Sequence, residues 1–250
     1  MLRALFLRSG SHGNATLLSD GDTLLLFDMG LTKKLLQEGC ALFDKKIEDI
    51  DAAFFTHNHS DHIKGAGFLA GKVPTFASLG TLDEADFILE EGVAEEIGEF
   101  RILPFSVSHD APNPLNFLIL RGREKFAYIT DVGYLPEKTL RLLSNCDYYL
   151  IESNHDIEME YKSHRPKELI KRVLGEKGHL SNIDSAQYVS AMMGSRTKGI
   201  YLGHLSDDCN RHDLALSTHR RVYGEKGIDW HKLDLRCTSQ VVMVKGGDWE

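Results

Sequence analysis

Ala52-Ala53-Phe54-Phe55-Thr56-His57-Asn58-His59-Ser60-Asp61-His62 is the stretch from which the fold and the chemistry of this chain can be read. A short, strand-forming apolar run leads directly into three imidazoles and a carboxylate spread over six positions. Such a run reads as a buried strand, which places the cluster where a rigid element gives way to a loop, the usual setting for functional side chains. In a chain of this composition, chance yields the pattern in roughly two of a thousand sequences. Crowded imidazoles raise one another's charging cost, whereas neutral imidazole with carboxylate is the donor set preferred by zinc and other first-row ions. His57 and His59, two apart in extended backbone, can point the same way, and Asp61 and His62 can face a second position after the turn. One short loop thus offers donors to two metals.

Working outward, strand-forming runs at Leu2–Arg8, Ala15–Ser19 and Thr23–Asp28 precede the cluster. The last two are joined by Asp20-Gly21-Asp22, a hairpin signal. A helix is expected from Thr32 to about Glu38. Beyond the cluster, strands are expected at Arg101–Leu103, Asn116–Arg121, Lys125–Thr130, Tyr148–Glu152, Gly199–Gly203 and Val241–Lys245. Helical patterns fall at Glu84–Glu91, Glu137–Leu143, Pro166–Leu174 and Ile183–Met193, the last opened by Ser181 with Asp184 three residues on. Hairpins first, then strands alternating with helices, suit two sheets packed face to face with helices outside. With 250 residues and no repeat, linker or low-complexity segment, one domain over 1–250 is expected.

A net charge of −8 gives no broad electrostatic footprint for nucleic acid, so a polyanion must be drawn in by a local patch or by metal ions. Cys40, Cys146, Cys209 and Cys237 have no CxxC spacing, against both a zinc ribbon and a disulfide framework. The first residues are too few for a signal-peptide core, and no run reaches membrane-spanning length. A cytoplasmic protein is expected, with no membrane association and no obligate protein partner.

Further donors stand at strand ends: His109 after Phe105-Ser106-Val107-Ser108, Asp131 after Phe126–Thr130, and His204 after Ile200–Gly203. Each alone would more often be a cap or a satisfied surface side chain, and only their order after the cluster lifts them. That order, His57-x-His59-x-Asp61-His62, then His109, Asp131 and His204, resembles the five-motif ligand set of the metallo-β-lactamase superfamily. The resemblance implies an α/β fold of the αβ/βα four-layer sandwich type and two divalent metal ions, zinc first, with manganese or iron also accepted by such donors. It implies His57, His59 and His109 on one ion, Asp61, His62 and His204 on the other, and Asp131 bridging both. A metal-bridging hydroxide would be the nucleophile, with Asp61 counted among the catalytic residues as well as the ligands.

Four further segments, Ser9–Ala15, Glu152-Ser153-Asn154-His155-Asp156, Gly178–Asn182 and Gly203–Ser206, are similar to the bacterial YycJ/WalJ (VicX) branch of superfamily nucleases. His12 stands where that branch carries Ser, and 159–166 departs from its Gly-x-Tyr-Pro pattern. The order of these segments also resembles tRNase Z. By that likeness, Glu152 orients His179, and His179 protonates the leaving group, a sensible role because phosphodiester cleavage expels an alkoxide. The plain alternative is that His179 caps the helix after it.

Three functions compete. The first is phosphodiester cleavage in nucleic acid, with a DNA exonuclease favoured by the YycJ likeness. Lys162, His164, Arg165, Lys167, Lys171 and Arg172 then read either as a phosphate-binding patch or as a solvated helix face. The second is hydrolysis of a small thioester, lactone or ester by the same ions, since one fold serves many chemistries. Glu152 and His179 speak against it, because a thiolate needs no proton donor. The third is a silent metal-binding or redox module, which would be expected to have lost a ligand or to carry a flavodoxin domain. The step of 73 positions from Asp131 to His204 leaves no room for a β-CASP insertion, and no tRNA-binding arm stands between Asp61 and His109.

Overall fold

Strands covered on both faces read as unbroken apolar runs, and Leu24-Leu25-Leu26-Phe27 and Ala52-Ala53-Phe54-Phe55 are buried along their whole length. The computed structural model describes residues 1–249. In chain order its strands are β1 (Arg3–Arg8), β2 (Ala15–Ser19), β3 (Leu24–Phe27), β4 (Ala52–Phe55), β5 (Thr75–Ala77), β6 (Phe87–Ile88), β7 (Glu95–Ile97), β8 (Phe100–Ser106), β9 (Leu115–Arg121), β10 (Glu124–Ile129), β11 (Tyr148–Glu152), β12 (Gly199–Gly203), β13 (Asp234–Cys237) and β14 (Val244–Gly247). The helices are α1 (Lys33–Ala41), α2 (Ser60–Ile63), α3 (Glu137–Leu142), α4 (Ile157–Lys162), α5 (Lys167–Val173), α6 (Asn182–Met192) and α7 (His212–Glu225). The chain divides into two compact units. One comprises Met1–Ser106, Ala111–Arg123 and the segment from Thr238 onward; the other comprises Val107–Asp110 and Glu124–Cys237.

The first unit carries a mixed sheet in the order β14-β1-β2-β3-β4-β5-β6. Its β1–β2–β3 part is antiparallel, with Leu5 opposite Leu17 and Leu17 opposite Leu26. Asp20 fixes the expected hairpin by accepting from the Thr23 amide at 2.9 Å. From β3 onward the pairing is parallel, which demands crossovers, and α1 supplies the first. Thr32 caps that helix by accepting from the Leu35 amide, the start that the sequence led us to expect. β7, β8 and β9 form an antiparallel ladder. Phe117 of β9 meets Phe27 at 5.4 Å and Phe54 at 5.8 Å between ring centroids, so apolar faces close over the strand that leads to the histidine cluster.

The second unit is built on parallel strands β10-β11-β12-β13 with helices between them. Ile129 lies opposite Ile151, Ile151 opposite Leu202, and Glu152 opposite Gly203. The carboxyl ends of three neighbouring strands are therefore flush, the edge at which parallel sheets place functional groups. α6 begins as expected, with Ser181 accepting from the Asp184 amide.

Two expectations are corrected. Glu84–Glu91 is not helical: Phe87–Ile88 pairs with β5, and Phe87 stacks on Phe76 at 4.6 Å. Asp86 accepts from both the amide and the hydroxyl of Thr75 at 2.9 and 2.7 Å, so side-chain capture and strand pairing override helical propensity. The last strand runs over Val244–Gly247 rather than Val241–Lys245, and Val241 and Val242 are exposed. The longest helix, α7, went unread because its buried face includes His219 beside Ala215, Val222 and Tyr223.

Candidate functional site

In the first unit, β4 leads into Thr56, His57 and the turn to His62, while Asp28 directly follows β3. Asp28 is fully buried with φ of +58°, a conformation a residue other than glycine holds only when its surroundings impose it. Its Oδ1 accepts from the Thr56 amide at 2.9 Å and from the Thr56 hydroxyl at 3.0 Å. Its Oδ2 lies 2.8 Å from Nδ1 of buried His62. A carboxylate can only accept, so Nδ1 of His62 carries the proton and Nε2 keeps its lone pair, on the side of Asp61 at 3.5 Å. This carboxylate–imidazole pairing is the arrangement that fixes tautomer and aim of a metal-ligating histidine.

The rings of His57 and His62 are 4.2 Å apart, and those of His57 and His59 4.5 Å. Backbone bonds clamp the loop: Asn14 N to Asp61 O and Met29 N to His62 O, both at 2.7 Å. Gly30 makes this approach possible, since a Cβ there would sit 1.6 Å from the Asp61 carbonyl oxygen. Asn14 joins from just before β2, its Nδ2 at 3.2 Å from Asp61 Oδ2 and 2.9 Å from His62 Nε2.

In the second unit, Asp131 and His204 follow β10 and β12 with φ of +50° and +52°. Nδ1 of His109 donates to the Gly178 carbonyl at 3.2 Å, and Nδ1 of His204 donates to Glu152 Oε1 at 2.9 Å. The Nε2 atoms of both rings then face one carboxylate oxygen, Oδ1 of Asp131, at 3.7 Å for His109 and 3.6 Å for His204. Imidazole lone pairs beside a carboxylate are donors of the kind first-row divalent ions accept. Burial lowers the His109 pKa despite the nearby Asp131 charge, a shift toward the neutral ring, the form that ligates.

Glu152, fully buried at the end of β11, joins these groups. Its Oε2 accepts from the amides of Val132 at 3.0 Å and Leu180 at 3.2 Å. Its Oε1 accepts from His204 and, at 2.7 Å, from Nδ1 of His179. Burial alone would raise its pKa, but the charges and hydrogen bonds of His179 and then His204 outweigh it and hold the carboxyl below the ordinary carboxylate range. His179 is 13% exposed, so a ring anchored at Nδ1 can present Nε2 outward. Although Asp131, Glu152, His179 and His204 lie close enough to hold an ion, both histidines spend Nδ1 on Glu152, and the cluster reads as a proton-handling group beside donors.

Each site residue read from sequence thus has a defined place. His57, His59, Asp61 and His62 cluster in the first unit; His109, Asp131, Glu152, His179 and His204 cluster in the second. Asp28 and Asn154 went unread. Asn154 donates to the His204 carbonyl at 2.8 Å. The signal for Asp28 was present: like Asp131, it is an acid directly after an apolar strand. All four cysteines are free thiols. No helix among the described residues is long and apolar enough to cross a membrane.

Known proteins are similar to this chain over most of its length. The family model for the β-lactamase superfamily domain matches residues 25–204. Exodeoxyribonuclease WalJ of Streptococcus pneumoniae serotype 2 is 38% identical over 227 residues, spanning 85% of this chain and 84% of its own. Exodeoxyribonuclease YycJ of Bacillus anthracis is 34% identical over 235 residues, 89% of each. The fold is that of the crystal structure of YhfI, a metallo-β-lactamase fold protein from Bacillus subtilis, with a TM-score of 0.71 over 98% of this chain and 99% of that one at 15% identity.

Proposed function

Given that this chain belongs to the metallo-β-lactamase superfamily and is a metal-dependent hydrolase, we propose that it is a nuclease that removes nucleotides from DNA ends. The observation that carries this reading is the Glu152–His179 pair at 2.7 Å. Phosphodiester cleavage expels an alkoxide, a poor leaving group that must be protonated as the bond breaks. An imidazolium steadied by a buried carboxylate does that near neutral pH. The names of the two bacterial relatives point the same way.

His57, His59 and His109 would hold one ion, Asp61, His62 and His204 a second, with Asp131 shared. The support is the order of these ligands along the chain and the preparation of the rings in each unit, Asp28 aiming His62, Gly178 aiming His109, and Glu152 aiming His204. Bound divalent ions, zinc by preference, supply Lewis-acid polarisation of a phosphoryl oxygen and acidify water. The protein's residues do the rest. His179 delivers a proton from Nε2 to the departing sugar oxygen, and Glu152 keeps Nδ1 protonated and the ring in place. Asp131 and Asp61 keep negative charge at the reacting centre that the ions balance. The whole chain, 1–250, acts as one functional domain in the cytoplasm, without a membrane or an obligate protein partner.

The test is a side-by-side assay of zinc- or manganese-reconstituted protein on end-labelled linear DNA, circular DNA and a thioester. Release of nucleotides from linear DNA alone is expected. Turnover confined to the thioester would replace this reading with hydrolysis of a small ester.

A further inference from the structure

On the surface of the second unit, Tyr161 of α4 and the stripe Lys167, Ile170, Lys171 and Leu174 along α5 line an open groove of about 560 Å³. The stripe follows the i, i+3, i+4, i+7 spacing of one helix face, and it mixes cations with apolar side chains instead of separating them. Tyr161 is 67% exposed, and Ile170 and Leu174 are only half-buried.

The charges here are not equivalent. Lys162 pairs with Glu158, Arg165 with buried Glu160 and with Asp208, and Arg172 with Asp110. Among the described residues, Lys167 and Lys171 have no carboxylate partner. Two unneutralised ammonium groups flank an apolar floor and a bare phenol ring on a chain whose net charge is −8. A merely solvated helix face needs neither the ring nor the half-buried Ile and Leu.

The groove is mechanically continuous with the proposed reaction centre of the same unit. The Val173 carbonyl at the end of α5 accepts from the His179 amide at 3.0 Å. Arg172 donates to Asp110, the neighbour of His109, at 3.0 Å.

We infer that this groove holds the single-stranded segment of a DNA substrate behind the scissile end, with a base stacked on Tyr161 over Ile170 and Leu174 and backbone phosphates on Lys167 and Lys171. Aromatic rings interleaved with cations are how single strands are bound without sequence preference. A duplex presents phosphates but keeps its base faces inside, so it would leave the ring and apolar floor unused. The inference rests on the nuclease reading given above.

The test uses metal-loaded protein and a fluorescent ten-nucleotide single strand with non-hydrolysable phosphorothioate linkages, read by anisotropy across a salt series. Tyr161→Ala is expected to weaken binding about tenfold, with affinity restored in Tyr161→Trp. Lys167→Gln/Lys171→Gln should weaken binding at low salt and reduce the slope of log K against log salt by about 1.4, roughly 0.7 for each phosphate no longer neutralised. Hydrolysis of bis(4-nitrophenyl) phosphate, too small to reach the groove, should stay within about twofold of wild type in all three. Unchanged affinity and slope in the variants would overturn the inference, as would equal competition by a matched duplex or by polyglutamate. If wild-type protein cuts DNA while the variants bind like wild type, only the groove falls. If wild-type protein neither binds nor cuts any strand yet hydrolyses the small diester, the nuclease reading falls with it.

Discussion

Oε1 of Glu152 lies 2.7 Å from Nδ1 of His179, and the carboxylate that makes this contact has no exposure to solvent. The same oxygen receives Nδ1 of His204, so one buried charge aims both a proposed proton donor and a proposed metal ligand. A buried carboxylate shared between two imidazoles is stable only while fully hydrogen-bonded, and the Val132 and Leu180 amides complete its shell.

His179→Ala separates proton donation from metal binding. The variant is expected to keep its full metal content and lose about 10²–10⁴-fold in kcat on DNA. On bis(4-nitrophenyl) phosphate, whose leaving group needs no proton, the loss should be much smaller. Equal losses on both substrates would contradict the role.

Glu152→Gln acts on two imidazoles at once. Metal affinity should fall about 10–100-fold through His204, and DNA cleavage should remain depressed when excess metal restores occupancy, because His179 stays misdirected. Metal titration followed by assay at saturation distinguishes the two effects.

Asp28→Asn removes the charge that holds His62. The amide can still sit within reach of Thr56, so the fold should survive, while affinity for one of two metal equivalents drops about 10–100-fold. A biphasic metal titration in which only one phase moves is the expected readout.

His219 gives a pH dependence independent of the metals. It is fully buried between Tyr223 and Ser153, and burial depresses its pKa from 6.5 to about 3. The unfolded chain therefore binds a proton that the folded chain refuses between those values. Stability from this group is complete above pH 6.5 and falls toward pH 3 by up to about 1.4 kcal/mol per pH unit. His219→Gln should lower stability at pH 7 yet flatten the acid limb of a denaturation series over pH 4–6.5.

Much of this was legible in the sequence because the decisive residues follow apolar strands. The run Ala52–Phe55 announces the loop that bears His57 to His62, and the flush ends of β10, β11 and β12 are the reason Asp131, Glu152 and His204 each stand at the end of a strand. Asp28 stands after an apolar strand as Asp131 does, but the partner that gives it a role, Nδ1 of a histidine 34 residues away, is not encoded in any local pattern. The segment Glu84–Glu91 misled because its fate is decided by Asp86 reaching Thr75 and Phe87 stacking on Phe76. α7 was hidden by a histidine on its buried face, His219, which is satisfied by Tyr223 one turn along the same helix and by Ser153 just after β11. The groove at Tyr161 was half visible, its cations apparent as a run, but ion pairing sorts Lys167 and Lys171 from Lys162, Arg165 and Arg172.

Two divalent ions per chain is the claim on which the others depend. The most direct measurement is metal content by mass spectrometry after chelation, reconstitution with zinc or manganese and removal of excess. Two equivalents in the wild type, falling to one or fewer in Asp131→Ala with the fold retained, is the predicted result. A folded wild-type protein that retains fewer than two equivalents of either metal would contradict the account.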